Sequence, residues 1–272
     1  MEKYSVLMSL YVNEKPSYLK QSIDSMINQT VMPDEIVVVK DGPITNELEQ
    51  VLADFLIKYP ELFNIVEGKI NLGLGLALNL GLNSCRNELV ARMDTDDISL
   101  PERCEKQLRK FRSDEKLVIL GTMVDEFNNN PNEIISTRIV PTNHNEIYNF
   151  AKRRSPFNHP TVMFKKSKIL ELGGYSDLRR NQDVDLFGRL LLAGFKASNI
   201  DESLLLFRSN IKLSKRRKSW ENTKSYIGTI YKFWKMGYSS FTDYMIVAIG
   251  QIVMFICPIK LQNWLYKKFL RK

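Results

Sequence analysis

The first 100 residues alternate between short apolar runs and segments whose apolar residues recur every three or four positions. The runs predict strands at residues 5–12, 35–40, 64–66 and 89–93. The periodic segments predict helices at residues 18–28, 48–56 and 73–82. Strands that alternate with helices through short connections are typical of a mostly parallel sheet flanked by helices. The chain is therefore expected to have an α/β fold.

The pattern is less regular after Pro101. Helices are predicted at residues 102–111, 146–152, 167–172 and 183–193. Strands are predicted at 117–120, around Val124 and Ile135, at 161–165 and at 204–208. No repeat or low-complexity linker interrupts this part of the sequence. We interpret residues 1–210 as one domain and residues 211–272 as a helical C-terminal appendage.

Three carboxylates, Asp94, Asp96 and Asp97, follow the predicted strand 89–93. If the strand geometry continues, Asp94 and Asp96 point the same way at its carboxyl end. Like charges so close repel unless a cation or several donors lie between them, and carboxylate oxygens suit Mg²⁺ or Mn²⁺. The alternative is an acidic loop in which Asp97 only caps the helix that begins near Pro101.

Polar residues also follow two other predicted strands. Asn13 and Glu14 follow the first strand, and Asp41 and Gly42 follow the second. Ligands of parallel sheets bind beyond the carboxyl ends of the strands, so Asp41 could accept from a base imide or a ribose hydroxyl. Taken alone, the Asp-Gly pair is equally typical of a simple turn.

Two predicted helices begin with residues suited to ligand binding. The glycines of residues 71–75 would let a phosphate approach backbone N–H groups, although no P-loop lysine follows. Asp183 could serve as a general base for an incoming hydroxyl. Both features also have a structural interpretation, because close helix packing favours glycine and the helix dipole favours Asp183 and Asp185.

Histidine and cysteine indicate no metal site. His144 and His159 lack metal-ligand spacing, and His159 is interpreted as a polar loop residue or as part of an acceptor site. The three cysteines are odd in number, which favours a reducing compartment. Because the first residues run directly into a strand pattern, no signal peptide is expected, and the cytoplasm is the expected location.

In order and spacing, the motifs resemble those of family 2 glycosyltransferases of bacterial capsule and exopolysaccharide synthesis, which have the GT-A fold. The resemblance covers residues 4 to about 208. The matching segments are LYVNE (10–14), IVVVKDG (36–42), NLG (71–73), ALN (77–79), ARMDTDD (91–97), HPT (159–161), GGY (173–175), QDVDL (182–186) and RL (189–190).

The resemblance implies a role for individual residues. Tyr11, Glu14 and Asp41 would bind the nucleobase and the ribose of a nucleotide-diphosphate sugar. Asp94 and Asp96 would hold Mn²⁺ or Mg²⁺, with Asp96 as the direct ligand. The catalytic base would be Asp183. The complete predicted donor site is Tyr11, Glu14, Asp41, Asn71, Asp94 and Thr95.

Three departures from the family pattern refine this expectation. Ser9 replaces the usual proline of the first strand, and Gln182 replaces the acidic neighbour of the base. The Gln-x-x-Arg-Trp motif of processive synthases is absent, and residues 215–220 do not substitute for it. The resemblance therefore implies inverting transfer of a single sugar, with UDP as the expected nucleotide. The expected acceptor is a hydroxyl of a polyisoprenoid-linked saccharide.

The net charge of +8 is concentrated at the C-terminal end. Residues 205–272 contain 14 Lys or Arg and 2 Asp or Glu, a net charge of +12, so the preceding 204 residues carry −4. Residues 220–236 are predicted to be helical, and residues 244–259 are apolar apart from Gln251. This stretch is shorter than the ~20 residues that a spanning helix needs.

A further amphipathic helix with basic neighbours is predicted beyond Pro258, with Leu261, Trp264, Leu265 and Phe269 on one side. Apolar faces flanked by lysines are typical of helices that lie in an anionic membrane interface. We therefore expect the tail to hold the chain peripherally on the inner face of the cell membrane. The alternative is that residues 244–259 pack on the catalytic domain.

Three other functions are compatible with parts of the sequence. A nucleotidyltransferase would need a basic phosphate-binding motif near the first strand, where the chain has Asn13 and Glu14. An RNA-associated protein would fit the basic tail, but the aromatic residues there are not interleaved with arginine for base stacking. A non-catalytic, nucleotide-binding scaffold at the membrane would not need Asp183. We expect no nucleic-acid partner.

Overall fold

Strands and helices alternate along residues 3–209 and 219–258, the residues described by a computed structural model of the chain. The strands are β1 (Tyr4–Leu10), β2 (Glu35–Lys40), β3 (Phe63–Glu67), β4 (Leu89–Met93), β5 (Ile98–Ser99), β6 (Leu117–Phe127), β7 (Ile134–Arg138), β8 (Met163–Lys165) and β9 (Lys196–Arg208). The helices are α1 (Pro16–Ile27), α2 (Asn46–Lys58), α3 (Leu74–Ser84), α4 (Arg103–Ser113), α5 (His144–Ala151), α6 (Lys166–Glu171), α7 (Gln182–Leu192), α8 (Trp220–Lys235) and α9 (Phe241–Ile256).

Within these ranges the nine strands form one sheet in the order β3-β2-β1-β4-β8-β6-β9-β5, with β7 paired to β6. The first four strands of this order are parallel, which confirms the predicted α/β fold. Side chains of β1 alternate between two cores. Leu7 packs on the side of α3 and α7, and Val6 and Met8 pack on the side of α1, α2 and α4.

The remainder of the sheet is mixed. β8 is antiparallel to β4 and β6, whereas β9 is parallel to β6 and antiparallel to β5. β9 extends over 13 residues, although the sequence predicts only 204–208, because its first half includes exposed charged residues such as Lys196 and Asp201. β6 runs unbroken through Val124, where two shorter strands are predicted.

The C-terminal helices form an antiparallel pair that rests on α7. Ile230 and Phe233 of α8 are buried in the same core as α7. Trp220 contacts Phe255, and Trp234 contacts Phe241, so opposite ends of α8 and α9 meet. Among the described residues, no helix combines the length and the apolarity needed to cross a bilayer. The basic run at 213–218 and the helix predicted beyond Pro258 lie outside those residues.

One side of α9 is not covered by any residue that the structure describes. Of its residues, only Asp243, Val247 and Ala248 are buried. We define the outer face of α9 by its exposed large apolar residues. These are Phe241, Met245, Ile246, Ile249, Ile252, Val253 and Ile256. The apolar segment predicted at 244–259 therefore packs on the domain along one side only, over the part that is described.

The contact of α8 with α7 depends on Gly188, because the Phe233 ring occupies the space that a β-carbon would need. Gly188→Ala is expected to lower the free energy of unfolding by about 1–3 kcal/mol through overpacking. Gly228→Ala, in α8 with nothing near its β-position, is the matched control and should raise it by about 0.5–1 kcal/mol. Urea titrations would measure both. Equal effects of the two substitutions would contradict this packing.

Candidate active site

The candidate site lies where three parallel strands end. β2, β1 and β4 are adjacent and parallel, so their carboxyl ends meet at one edge of the sheet. The loops after β1 and β4 are in direct contact, because the Thr95 hydroxyl donates to the Glu14 carboxylate at 2.8 Å. The serine hydroxyl of Ser22 in α1 donates to the carbonyl of Asp94 at 2.6 Å and supports the same loop.

The three aspartates after β4 form a compact group. One carboxylate oxygen from each of Asp94, Asp96 and Asp97 lies within 4.8 Å of the others. The chain leaves strand geometry after Met93, so a turn, rather than the predicted continuation of the strand, brings Asp94 and Asp96 together. Asp97 does not cap α4, whose N-cap residue is Glu102, and the capping interpretation is wrong.

Asp97 instead fixes the end of β9. Its Oδ1 accepts from the backbone N–H of Arg208 at 2.8 Å. Its Oδ2 is buried and has no partner among the described residues. The Arg208 guanidinium donates to the carbonyl of Asp96 at 2.8 Å and lies 3.8 Å from the centre of the Tyr18 ring. Hydrogen bonds that Arg208 donates to Asp96 and Asp97 therefore fix the turn and keep its carboxylates close together.

Crowding of negative charge shifts the pKa values of these groups upward. Burial, together with the charges of Asp94 and Glu14, raises the pKa of Asp96 from 3.8 to about 7. Burial and the charges of Asp96 and Asp94 raise the pKa of Asp97 well above its ordinary value. A divalent cation would relieve this repulsion and would provide a partner for the orphaned Oδ2. The residues present therefore fit a Mg²⁺ or Mn²⁺ site.

A buried arginine lies beside the acidic group. Arg92 lies in β4, two positions before Asp94, which begins the turn after the strand. Its Nη2 donates to Asp94 Oδ1, and only 1 % of the residue is exposed. Its Nε and Nη1 have no partner among the described residues. The positive charge of Arg92 therefore offsets part of the negative charge of the three carboxylates.

Asp183 belongs to the same electrostatic environment. It lies in the first turn of α7, after Asn181, which adopts a left-handed conformation with φ of 59°. Burial raises the pKa of Asp183, while the backbone N–H groups of Val184 and Asp183 and the charge of Arg92 lower it, and the charge of Asp94 raises it. Asp183 is therefore near enough to Arg92 and Asp94 to be influenced by the charges of both.

Asp41 organises the loop before α3. Its carboxylate accepts from the backbone N–H groups of Leu72 at 2.7 Å and Gly73 at 3.1 Å, and from the Asn71 side chain at 3.0 Å. Three of its acceptor positions are therefore used within the protein. Asp41 and Asn71 are in contact with each other, and their predicted contacts with a nucleotide stay a prediction.

Two further contacts join the loop before α3, and α3 itself, to the segment before α7. Arg179 donates to Asn71 Oδ1 at 3.2 Å and covers Gly73. The Asn79 amide exchanges two hydrogen bonds of 2.8 Å with the backbone of Tyr175. The loop that Asp41 organises is therefore connected to the segment that leads into α7 and Asp183.

Comparison with known proteins supports one interpretation of this arrangement. Residues 5–173 match the family described as "Glycosyl transferase family 2". The chain belongs to glycosyl transferase family 2. It is therefore a glycosyltransferase.

Two bacterial relatives match over almost their whole length. The UDP-Gal:alpha-D-GlcNAc-diphosphoundecaprenol beta-1,3-galactosyltransferase of Escherichia coli is 36% identical over 270 residues, which cover 99% of this chain and 97% of that protein. The amylovoran biosynthesis glycosyltransferase AmsE of Erwinia amylovora is 36% identical over 269 residues, which cover 97% of this chain and 98% of that protein.

Solved structures support the GT-A fold. The mannosyltransferase PcManGT of Pyrobaculum calidifontis, in complex with GDP-Man and Mn²⁺, has a TM-score of 0.66 at 14% identity, covering 98% of this chain and 79% of that one. Staphylococcus aureus TarS 1–349 in complex with UDP-GlcNAc has a TM-score of 0.63 at 16% identity, covering 98% and 71%. At these identities the likeness establishes the fold alone.

Two predicted donor-site residues of the glycosyltransferase, Glu14 and Thr95, are in contact, and Asp94 lies beside the predicted metal ligand Asp96. Tyr11 is 39% exposed in the loop after β1. The roles of these residues toward a nucleotide stay predictions. His159 is not a polar loop residue, since it is buried and its Nε2 pairs with the Tyr175 hydroxyl at 2.9 Å. Burial and the Arg92 charge lower the pKa of His159 well below its ordinary range, so its ring is neutral.

Sequence reasoning missed Arg92 and Arg208. A signal existed for Arg92, because it is a single charged residue inside an apolar strand and stands two positions before the acidic group. No local signal existed for Arg208, because its contacts with Asp96 and Asp97 join residues more than 100 positions apart.

The raised pKa of Asp96 makes stability depend on pH in the absence of divalent cations. The Asp96 carboxyl loses its proton near pH 4 in the unfolded chain and near pH 7 in the folded chain. Asp96 therefore does not reduce the free energy of unfolding below pH 4, and it reduces that free energy increasingly as the pH rises from about 4 to about 7. Asp96→Asn should therefore be more stable than wild type at pH 7.5 by up to about 4 kcal/mol, at about 1.4 kcal/mol per pH unit between the two pKa values, with little difference at pH 4.

Urea titrations across this pH range would measure the difference between the two proteins. Added Mn²⁺ should stabilise wild type more than Asp96→Asn. A difference between the two curves that stays constant with pH would contradict the assignment of charge crowding to Asp96.

Proposed function

We propose that this glycosyltransferase transfers a single sugar from a nucleotide-diphosphate sugar, a UDP-sugar, to a hydroxyl of a lipid-linked saccharide, with inversion, in bacterial surface polysaccharide synthesis. The observation that carries the proposal is the group of Asp94, Asp96 and Asp97, whose carboxylate oxygens lie within 4.8 Å of one another at the carboxyl end of β4. A carboxylate group of this kind fits the divalent cation that would hold a nucleotide diphosphate. The name of the Escherichia coli relative, which specifies UDP-Gal and a diphosphoundecaprenol acceptor, supports the substrate classes.

The donor would lie along the edge formed by the loops after β1, β2 and β4. Asp94 and Asp96 would hold Mn²⁺ or Mg²⁺, and Asp97 completes the group of carboxylates that fits such an ion. When bound, the ion supplies positive charge that stabilises the diphosphate leaving group. Tyr11, Glu14, Thr95 and the Asp41–Asn71 pair would contact the nucleoside and diphosphate.

Asp183 would accept the proton of the acceptor hydroxyl. Its raised pKa favours this role, because a base whose pKa approaches the working pH accepts a proton more readily. The Arg92 charge opposes this shift. Attack by the acceptor oxygen on the anomeric carbon, opposite the departing diphosphate, inverts that carbon in one displacement.

Removal of the base is the direct test of this role. Asp183→Asn should lower the rate of sugar transfer by roughly 10²–10⁴-fold, the contribution of a positioned general base. Asp201→Asn, which changes an exposed carboxylate on β9, is the matched control and should keep the wild-type rate. Transfer from UDP-sugars to a lipid-linked diphospho-saccharide would be followed by chromatography. A wild-type rate for Asp183→Asn would refute the assignment.

The outer face of α9 would hold the enzyme on the inner face of the membrane, close to a lipid-linked acceptor. Its apolar side chains form one continuous exposed strip, and lysines of α8, including Lys232 and Lys235, lie on the adjoining helix. Apolar burial combined with attraction to anionic lipid is the usual basis of peripheral binding. In this proposal residues 1–210 perform the chemistry and residues 211–272 bind the surface.

Charge placed on the outer face should weaken membrane binding. The double substitution Ile249→Asp with Ile256→Asp is expected to lower partitioning onto phosphatidylglycerol-containing vesicles by about tenfold or more. Ile57→Asp changes an isoleucine of α2 that is 82% exposed and serves as the matched control. Vesicle sedimentation would measure binding. Equal sedimentation of all three proteins would count against a membrane role for α9.

A further inference from the structure

A groove of about 510 Å³ separates α8 from the loop that leads into α7. On one side it is lined by the loop at 176–180, and on the other by positions of α8 that recur every three or four residues, including Glu221, Lys224, Gly228 and Lys232. This side of α8 adjoins the side formed by Trp220, Tyr231 and Trp234, whose rings contact α9.

Cations prevail among the described residues of the groove. The charged residues that line it are Arg179, Arg180, Lys224, Lys232, Asp177, Asp185 and Glu221. Asp185 is fully buried and already paired, with Lys232 at 2.6 Å and with Arg189 at 2.7 Å. The four cations of the groove outnumber its three carboxylates, and Asp185 is already compensated by Lys232 and by Arg189, which lies outside the lining. The groove therefore favours an anionic group, such as a diphosphate, over a cation.

One cation of the groove has unused hydrogen-bonding capacity. The Nε of Arg180 is buried and has no partner among the described residues. The backbone of Arg180 is fixed, because its carbonyl accepts from the Ser225 hydroxyl at 2.7 Å. Arginine donors pair well with the oxygens of phosphate groups. Lys224 is exposed and lies on the opposite wall.

The groove adjoins the segment that leads to the candidate base on one side and the C-terminal helix pair on the other. The loop at 176–180 is followed directly by Asn181, Gln182 and the candidate base Asp183. On its other side the groove borders α8, which packs along α9 and its exposed apolar strip. A molecule with a saccharide, a diphosphate and a lipid chain in that order would meet the base, the cations and the apolar strip in the same order.

We propose that the groove between the 176–180 loop and α8 binds the diphosphate of the lipid-linked acceptor, with Arg180 and Lys224 as its principal contacts. This inference rests on the proposed function for the identity of the acceptor. The donor diphosphate is assigned to the other edge of the site, at Asp94 and Asp96, so the two diphosphates occupy separate places.

A binding experiment tests the groove without requiring sugar transfer. The full chain, loaded with UDP and Mn²⁺ so that the donor site is filled, would be titrated with farnesyl diphosphate by calorimetry. Arg180→Gln and Lys224→Glu should each weaken farnesyl diphosphate by about tenfold or more, the usual effect of losing a charge-assisted contact. Lys110→Glu removes an exposed lysine of α4, outside the groove and away from α8 and α9, and should change the affinity less than about twofold.

Competition would identify the source of the anion. Inorganic diphosphate should displace farnesyl diphosphate more effectively than glycerol 3-phosphate, the headgroup chemistry of a phospholipid. Equal displacement by the two would overturn the inference in favour of a phospholipid site. The inference would be overturned outright if Arg180→Gln and Lys224→Glu both bound farnesyl diphosphate with wild-type affinity. Unchanged UDP binding would show that both variants are folded.

The result is separable from the proposed function. Asp183→Asn should bind farnesyl diphosphate as wild type does, because it lies outside the groove. If Asp183→Asn transferred sugar normally while the groove variants still lost affinity for farnesyl diphosphate, the assignment of Asp183 as the base would be contradicted. The assignment of the groove as a diphosphate site would still be supported. If UDP failed to bind in the loading step, the donor assignment would fail independently of the groove.

Discussion

Negative charge concentrated at one edge of the sheet is the constraint on which the rest of the site depends. Glu14, Asp94, Asp96 and Asp97 lie together where β1 and β4 end, and burial together with the charges of Asp94 and Glu14 raises the pKa of Asp96 to about 7. A folded chain keeps such a group only if cations offset it. Arg92 does so from within the strand, and Arg208 supports the turn through the carbonyl of Asp96.

The loops around this charge are held by side chains that do not themselves need to contact substrate. Asp41 anchors the loop before α3, and Asn79 ties α3 to the backbone of Tyr175. Asp185, two positions after the candidate base, pairs with Arg189 and Lys232 and so couples α7 to α8. The C-terminal helices are thus connected to the orientation of α7, and through it to Asp183.

Prediction from sequence succeeded where structure is local or strictly periodic. The parallel strands β1 to β4 are apolar runs separated by periodic helices, and their carboxyl ends could be recognised by Glu14, Asp41 and Asp94. Prediction failed for the first half of β9, whose exposed charged residues obscure the strand pattern, and for the two-residue strand β5. The roles of Asp97 and Arg208 depend on a contact across 111 positions, which no local pattern reveals.

The central claim is that the acidic group binds a divalent cation together with the diphosphate of a nucleotide. Calorimetric titration with UDP, with and without Mn²⁺, tests it most directly. Mn²⁺ should strengthen UDP binding to wild type by about tenfold or more and should have little effect on Asp96→Asn. UDP affinity that is the same with and without Mn²⁺ in the wild-type protein would contradict the account.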